Sequence, residues 1–169
     1  MRLGNSLGIY TGKFMSEKKD KTSSPCENKE KIRAEVIVEV HFHDLDPMNI
    51  VWHGRYPKYF EIARTELFCQ LGYDIPDMRD SGYMWPIVDL QIKYIRPAVY
   101  LQKLRVSAEL VEWENRIKVR YEICDAETGD RLTKGHSVQV AVDGASKELL
   151  FVSPEILLEK VERYLNGNG

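Results

Sequence analysis

The chain has few cysteines, no long apolar run and no surplus of charge of one sign. Its three cysteines, Cys26, Cys69 and Cys124, are too few and too scattered for a disulfide framework or a thiolate zinc site. No apolar run approaches the ~18 residues of a membrane-spanning helix. The 24 Lys and Arg nearly balance the 26 Asp and Glu, and the net charge of −2 argues against nucleic-acid binding. These absences favour a protein of the reducing cytoplasm.

What is present suits one globular domain that follows a polar amino-terminal arm. The 169 residues, 43% hydrophobic and 30% charged, fit one domain of ordinary size. Residues 1–32 lack apolar periodicity and predict a disordered arm, whereas residues 33–165 predict the folded domain. The arm lacks the apolar core of a secretory signal, so we expect no export. Met15 resembles an alternative start, which would make residues 1–14 an upstream extension.

Five segments alternate apolar and polar residues with a period of two, the pattern of a half-buried strand. They are residues 36–42, 88–94, 104–110, 117–123 and 138–142. Turn-forming residues near Glu114 and Gly129 separate the later strands, so we expect neighbouring strands to pair antiparallel.

One long helix is predicted inside the domain, at residues 54–71. Aromatic and aliphatic residues recur there at spacings of three and four, Pro57 suits the first turn and Gly72 suits the end. A short final helix is predicted at residues 155–165, after Pro154. One sheet that curls around one apolar helix is an α+β architecture.

The segment HFHDLDPMNIVWHGRYPKY, residues 41–59, carries the strongest chemical pattern. Asp44 and Asp46 precede a predicted helix start by a few residues. The amino terminus of a helix stabilises a developing oxyanion, and a nearby carboxylate can act as a base or nucleophile. Both halves of an acyl-transfer site therefore fit in one segment. On residue types alone, Asp46 equally suits a turn residue that hydrogen-bonds its own backbone.

The longer segment DLDPMNIVWHGRYPKYFEIARTE resembles the signature of hot-dog-fold acyl-CoA thioesterases of the 4-hydroxybenzoyl-CoA thioesterase type, closest to the branch with the Tol–Pal-cluster enzymes. The resemblance covers roughly residues 34–145. It implies a bent five-stranded antiparallel sheet wrapped around one long helix. It also implies hydrolysis of acyl-CoA or acyl-carrier-protein thioesters, with no cofactor and no metal. A homodimer with a continuous sheet, paired into a homotetramer, is implied as well.

The same resemblance assigns roles to single residues. Asp46 matches the catalytic aspartate, and His53 matches the position whose backbone N–H polarises the thioester carbonyl. Asp44 matches an acidic position that is less directly catalytic, and Tyr59 falls on the helix face that lines the acyl pocket. Asn49 stands where many members carry glycine, and asparagine tolerates left-handed backbone angles.

Further residues are candidates for substrate binding. Trp52 and Tyr94 suit a pocket wall because aromatic rings offer large apolar faces. Arg96, Lys58 and Lys93 are candidates for contacts with coenzyme A phosphates. For each of these cations, a solvated charge is the simpler interpretation.

Two other functions and a metal site remain as alternatives. A hot-dog dehydratase of 3-hydroxyacyl thioesters would need a histidine and a carboxylate on the long helix, where Glu61 is present but no histidine follows Gly54. A non-catalytic module would bind an acyl thioester and release it intact. His41 and His43 are expected to share a strand face, yet no third ligand has a clear spacing for a metal.

Overall fold

The computed structural model describes residues 32–167. Within this range the strands are β1 (Arg33–Glu39), β2 (Tyr83–Met84), β3 (Ile87–Tyr94), β4 (Lys103–Glu112), β5 (Ile117–Asp125), β6 (Arg131–Gln139) and β7 (Val142–Asp143). The helices are α1 (Tyr56–Gln70), α2 (Ile75–Asp80) and α3 (Glu155–Leu165). Ile32 is buried and its carbonyl oxygen accepts a hydrogen bond from Leu110 N–H, so it belongs to the domain. The rest of the expected arm lies outside the described residues.

The five longer strands form one antiparallel sheet in the order β1-β4-β5-β6-β3. Helix α1 packs on one face of this sheet, chiefly against β1 and β4. The ring of Phe60 on α1 stacks on Tyr121 of β5 with the centroids 4.4 Å apart. The predicted α+β architecture is therefore confirmed.

Helix α1 lies where the apolar stripe predicts a helix. A 3-10 turn at His53–Arg55 leads into it, and Pro57 occupies the first turn, where a missing N–H costs little. The helix ends before Gly72, whose φ of 63° suits a residue without a side chain. The final helix α3 also covers the predicted residues.

The first strand is displaced from its predicted position at residues 36–42. Strand β1 ends at Glu39, and a 3-10 turn at Phe42–Asp44 follows. His41 and His43 therefore do not share a strand face, and their rings stack beside this turn with the centroids 5.4 Å apart. The turn contains the buried Asp44, and the alternation of apolar and polar residues continues into it, so the sequence pattern does not mark the end of the strand.

The strand predicted at residues 138–142 is wrong. Strand β6 runs from Arg131 to Gln139, and only the two-residue β7 follows, paired with β2. The positions of β6 that face α1 carry small or polar side chains, so the strand shows no apolar alternation. At Gly135 a Cβ atom would lie 2.9 Å from the Phe60 ring, because helix and sheet approach closely there.

Helix α2 and the small β2–β7 sheet are absent from the sequence-based expectations. Six residues are too few to show a helical period, and α2 is stabilised instead by a capping box between Asp74 and Asp77. Over residues 32–167, no helix is both long and apolar enough to cross a bilayer.

Strand β3 forms one edge of the sheet, with its outer hydrogen-bonding side unpaired in the described chain. Its apolar residues Ile87, Val88 and Leu90 are exposed by 41%, 57% and 39%. An exposed, apolar edge strand is a surface that proteins usually cover.

Candidate active site

The loop between β1 and α1 folds into a tight turn that positions Asp46. The Asp46 N–H donates a hydrogen bond to Ile50 O at 2.9 Å, and Asn49 N–H donates to Asp46 O at 3.0 Å. Asn49 has a φ of 61°, in the left-handed region that asparagine tolerates. The turn is thus formed with asparagine in place of glycine.

The carboxylate of Asp46 is half-buried, with one oxygen engaged and one free. Its Oδ1 accepts a hydrogen bond from Met48 N–H at 2.8 Å. Asp46 therefore makes the hydrogen bond to the nearby backbone that is expected of a turn residue. Its Oδ2 has no hydrogen-bond partner among the residues that the structure describes. A lone pair on that oxygen is therefore available for chemistry.

Asp44, two residues earlier, is fully buried and surrounded by donors. The Tyr59 hydroxyl donates to Oδ2 at 3.0 Å, and Lys58 Nζ donates to Oδ1 at 3.3 Å. Arg55 Nε and His43 Nε2 lie 3.7 and 3.6 Å from Oδ1. This carboxylate therefore ties the loop to the first turns of α1.

The surroundings of Asp44 fix its protonation state. Burial raises the pKa of Asp44, but the hydrogen bonds from Tyr59 and Lys58 and the charge of Lys58 outweigh burial, so its pKa lies below the ordinary value. Burial and the Asp44 charge raise the pKa of Tyr59, which keeps its hydroxyl protonated as a donor. The Asp44 carbonyl also accepts a hydrogen bond from Trp52 N–H at 2.9 Å, next to the helix start.

A cleft of about 280 Å³ opens beside the start of α1. Its lining combines aliphatic side chains with the helix start and the end of β3, namely Ile50, Val51, His53, Tyr56, Tyr94, Ile95, Arg96 and Pro97. The turn that holds Asp46 continues directly into this lining through Ile50. An apolar cleft with a few polar groups is the usual form of a small-molecule site.

Tyr94 joins the edge strand to the helix start. Its hydroxyl donates a hydrogen bond to His53 O at 2.9 Å, and its ring meets Tyr56 edge-on with the centroids 5.0 Å apart. Among residues 32–167, the His53 N–H has no hydrogen-bond acceptor. That N–H is therefore free to donate to a bound group.

The two phenols in the cleft wall have raised pKa values. Burial raises the pKa of Tyr56, and the charges of Tyr94 and Asp46 raise it further, against hydrogen bonds with Ala98 and Thr133 that lower it. Asp46 itself does not line the cleft, and it is linked to the lining through the turn that ends at Ile50. Both cleft phenols are neutral near pH 7, since burial also raises the pKa of Tyr94.

Two of the residues expected to bind substrate lie outside the cleft lining. Tyr59 is fully buried and contacts Asp44, because its position on α1 faces the loop rather than the cleft. Trp52 is 47% exposed, and its ring lies over Gly54, where a Cβ atom would be only 2.5 Å away. Both residues lie outside this cleft, and a role for them in substrate binding stays a prediction.

The candidate cations have different environments. Arg96 lines the cleft, and its Nη1 lies 2.7 Å from Asp130 Oδ2 in an ion pair. Lys58 contacts Asp44 rather than the cleft. Lys93 lies on the opposite face of β3 from Tyr94.

The remaining candidates have structural partners. Glu61 forms an ion pair with Arg64 one turn along α1, as its spacing of three residues predicts. No group of three or more potential metal ligands occurs within the described part of the chain.

Tyr56 and Ile95 are cleft residues that the sequence analysis did not assign to substrate binding. Tyr56 belongs to the apolar stripe of α1 and was therefore expected in the core, and it is indeed 2% exposed. Ile95 lies just after β3, in a segment that shows no period. Only the break at Pro97 marks this segment as the end of a strand.

Comparison with known proteins shows the relationships of the chain. A family model described as the thioesterase-like superfamily matches residues 40–160. A candidate esterase of Synechocystis sp. is 30% identical over 132 residues, which cover 74% of this chain and 76% of that protein. A candidate acyl-CoA thioesterase of Bacillus subtilis is 38% identical over 110 residues, 64% of this chain and 79% of that protein.

A solved structure shares the fold. The DHNA-CoA thioesterase from Staphylococcus aureus superposes with a TM-score of 0.69 at 23% identity, covering 81% of this chain and 95% of that one. The predicted hot-dog fold, an antiparallel five-stranded sheet around one long helix, is therefore confirmed. Because the family model spans most of the described residues, this chain belongs to the thioesterase-like superfamily.

Proposed function

We propose that the protein hydrolyses an acyl thioester to a free acid and a thiol. Membership of the thioesterase-like superfamily supports this reaction, as does the Bacillus subtilis relative named for acyl-CoA. The observation that carries the proposal is the cleft at the start of α1. His53, whose N–H has no acceptor among the described residues, lines this cleft, and the turn that holds Asp46 adjoins it.

The helix start polarises the substrate. The thioester carbonyl oxygen accepts a hydrogen bond from His53 N–H, and the partial positive charge at the helix start stabilises the negative charge that develops on this oxygen. The Tyr94 hydrogen bond to His53 O holds this peptide group in place. Preorganised donors of this kind lower the barrier because they need not reorient during the reaction.

Asp46 supplies the second half of the chemistry. Its carboxylate attacks the carbonyl carbon and expels the thiolate, and water then hydrolyses the resulting mixed anhydride. Alternatively, it accepts a proton from a water molecule that attacks the same carbon. The free Oδ2 and the half-buried position of Asp46 support either route.

The carrier of the acyl group is coenzyme A in this proposal, with the acyl chain against the aliphatic walls of the cleft. Tyr94 and Arg96 bind the substrate there. Trp52 lies over Gly54 at the helix start and Tyr59 donates to Asp44, so both support the site from beside the cleft. The free thiols of Cys69 and Cys124 agree with the reducing cytoplasm as the site of the reaction.

The proposed assembly is a homodimer in which β3 pairs with β3 of a second copy, and two dimers form a tetramer. The unpaired edge and the exposed Ile87, Val88 and Leu90 support this pairing. Because Tyr94 ends the same strand, each cleft would then lie at the subunit interface.

Replacement of Asp46 tests the reaction. With a panel of acyl-CoA substrates and a thiol-reactive dye, we expect Asp46→Asn to lower kcat by about 10²–10⁴-fold, as loss of a general base or nucleophile does. The melting temperature should stay within a few degrees. Asp80→Asn, which removes an exposed carboxylate on α2, is the matched control and should leave kcat unchanged.

Two outcomes would contradict the proposal. If Asp46→Asn retains near-normal kcat, Asp46 has no central role. If acyl-CoA binds and is recovered intact, the protein is a binding module rather than a hydrolase.

A further inference from the structure

The face of the sheet turned away from α1 carries a groove of about 770 Å³ across β3, β5 and β6. Five Lys and Arg side chains line it against two glutamates. The cations are Lys93, Lys118, Arg120, Arg131 and Lys134. The groove therefore concentrates positive charge in a chain whose net charge is −2.

Two of these cations are neutralised by neighbours. Arg131 Nε lies 2.6 Å from Glu122 Oε2, and Arg120 Nη1 lies 3.5 Å from Glu109 Oε2. The groove histidine, His136, is likewise paired, with Asp89 at 3.2 Å. Of the two glutamates that line the groove, Glu122 thus pairs with Arg131, and Glu112 pairs with Arg116.

The three lysines make no close ion pair within the described chain, although Lys118 and Lys134 stand opposite Glu112 and Glu122 in the register of the neighbouring strands. Lys93, Lys118 and Lys134 make no ion pair among the residues that the structure describes. Lys93 and Lys134 also stand directly opposite each other in the register of β3 and β6. Like charges at opposed positions destabilise a sheet, so an anion bound between them would relieve the repulsion.

The groove adjoins the cleft around the end of β3. Successive residues of a strand point to opposite faces, so Tyr94 lies in the cleft while Lys93 lies in the groove. Beyond the strand, Arg96 of the cleft pairs with Asp130, which directly precedes Arg131 of the groove. A flexible ligand that leaves the cleft past Arg96 therefore meets the groove cations.

We propose that Lys93 and Lys134 bind the phosphates of coenzyme A, its 3′-phosphate and diphosphate, while the thioester occupies the cleft. The inference rests on the proposed thioester hydrolysis. Charge-assisted hydrogen bonds from lysine and arginine are the strong contacts that phosphates accept. The pantetheine arm supplies the flexible link between the two ends.

The groove volume of about 770 Å³ leaves room for the nucleotide end of coenzyme A.

A substrate that lacks the phosphates of coenzyme A tests their contribution to binding separately from the reaction itself. One acyl group is offered either on coenzyme A or on pantetheine, which has no phosphate. For the Lys93→Gln/Lys134→Gln double variant we expect KM for acyl-CoA to rise about tenfold with kcat unchanged, and no change for acyl-pantetheine. High salt should raise KM for acyl-CoA in the native protein only.

The matched control is Lys103→Gln/Lys160→Gln, which removes two lysines outside the groove. It should leave both KM values unchanged, and melting temperatures should show that both double variants fold. Equal KM values for the two substrates in the native protein, or an unchanged KM in the groove variant, would overturn the proposal. A groove variant that loses activity only on acyl-carrier protein would also overturn it, in favour of protein docking.

Failure of the proposed reaction is distinguishable from failure of this inference. If the native protein hydrolyses no thioester, titration calorimetry with coenzyme A itself still measures the groove. Binding that weakens about tenfold in the groove variant supports the phosphate site, and unchanged binding overturns it.

Discussion

Asp44 and Asp46 are two residues apart, yet the fold gives their carboxylates opposite environments. Asp44 is enclosed by Tyr59, Lys58 and Arg55, whereas Asp46 has an oxygen without a partner. The sequence could place both before a helix, because the motif is local. It could not say which one is buried, since that depends on side chains of α1 that reach back over the loop.

Because Asp44 is ionised and buried, we expect the free energy of unfolding to fall when acid protonates this carboxylate. Its pKa lies below the ordinary value of 3.8, so it stabilises the fold above that pH and ceases to do so as pH falls through its lowered pKa. We expect Asp44→Asn to lower the free energy of unfolding by about 2 kcal/mol at pH 7, and the deficit to shrink below pH 3.8.

Urea unfolding between pH 7 and pH 3 measures this difference. The control Asp80→Asn removes an exposed carboxylate and should cost about 0–1 kcal/mol at every pH. A deficit for Asp44→Asn that stays constant across the titration would show that the lost interaction is not ionic.

Among the elements, those with a clear period could be predicted and the others could not. Helix α1 and strands β4 and β5 each bury one face. Their apolar residues therefore recur with a period of 3.6 in the helix and 2 in the strands. Strand β6 shows no such period, because its inner face carries small residues that leave room for the Phe60 ring. A requirement for close approach selects small residues, and small residues carry no hydrophobic signal.

The close approach at Gly135 predicts a loss of stability on enlargement. In Gly135→Ala, the new Cβ would collide with the Gln91 carbonyl oxygen and come within 2.9 Å of the Phe60 ring. Since overpacking costs about 1–3 kcal/mol, we expect a loss of about 2 kcal/mol by urea unfolding. Gln91→Ala, at an exposed neighbouring site, should change stability by no more than about 0.5 kcal/mol. If Gly135→Ala leaves the free energy of unfolding unchanged, β3 and α1 can move away from position 135 to make room for the methyl group.

On the scale of the whole molecule, the proposed assembly depends on the edge strand β3. Leu90 lies on the α1 side of β3, where the helix does not cover the sheet, and is 39% exposed. We expect Leu90→Glu to weaken the proposed dimer by at least tenfold, because a charge would be buried at the paired edge. Analytical ultracentrifugation over a concentration series measures this change.

The control for assembly is Phe151→Glu, which replaces an apolar residue that is 86% exposed before α3. It should leave the sedimentation behaviour unchanged. A native protein that sediments as an active monomer, or a Leu90→Glu variant that still dimerises fully, would remove β3 from the interface.

In the proposed dimer, the hydrogen bond from Tyr94 to His53 O would link quaternary structure to turnover. Tyr94 lies at the end of β3, where a second copy would pair. Its hydroxyl donates to His53 O, in the peptide group next to the proposed position of the substrate carbonyl. If dilution separates the paired β3 strands, the His53 peptide group would lose its alignment. Specific activity would therefore fall as the oligomer dissociates, instead of staying constant for each chain.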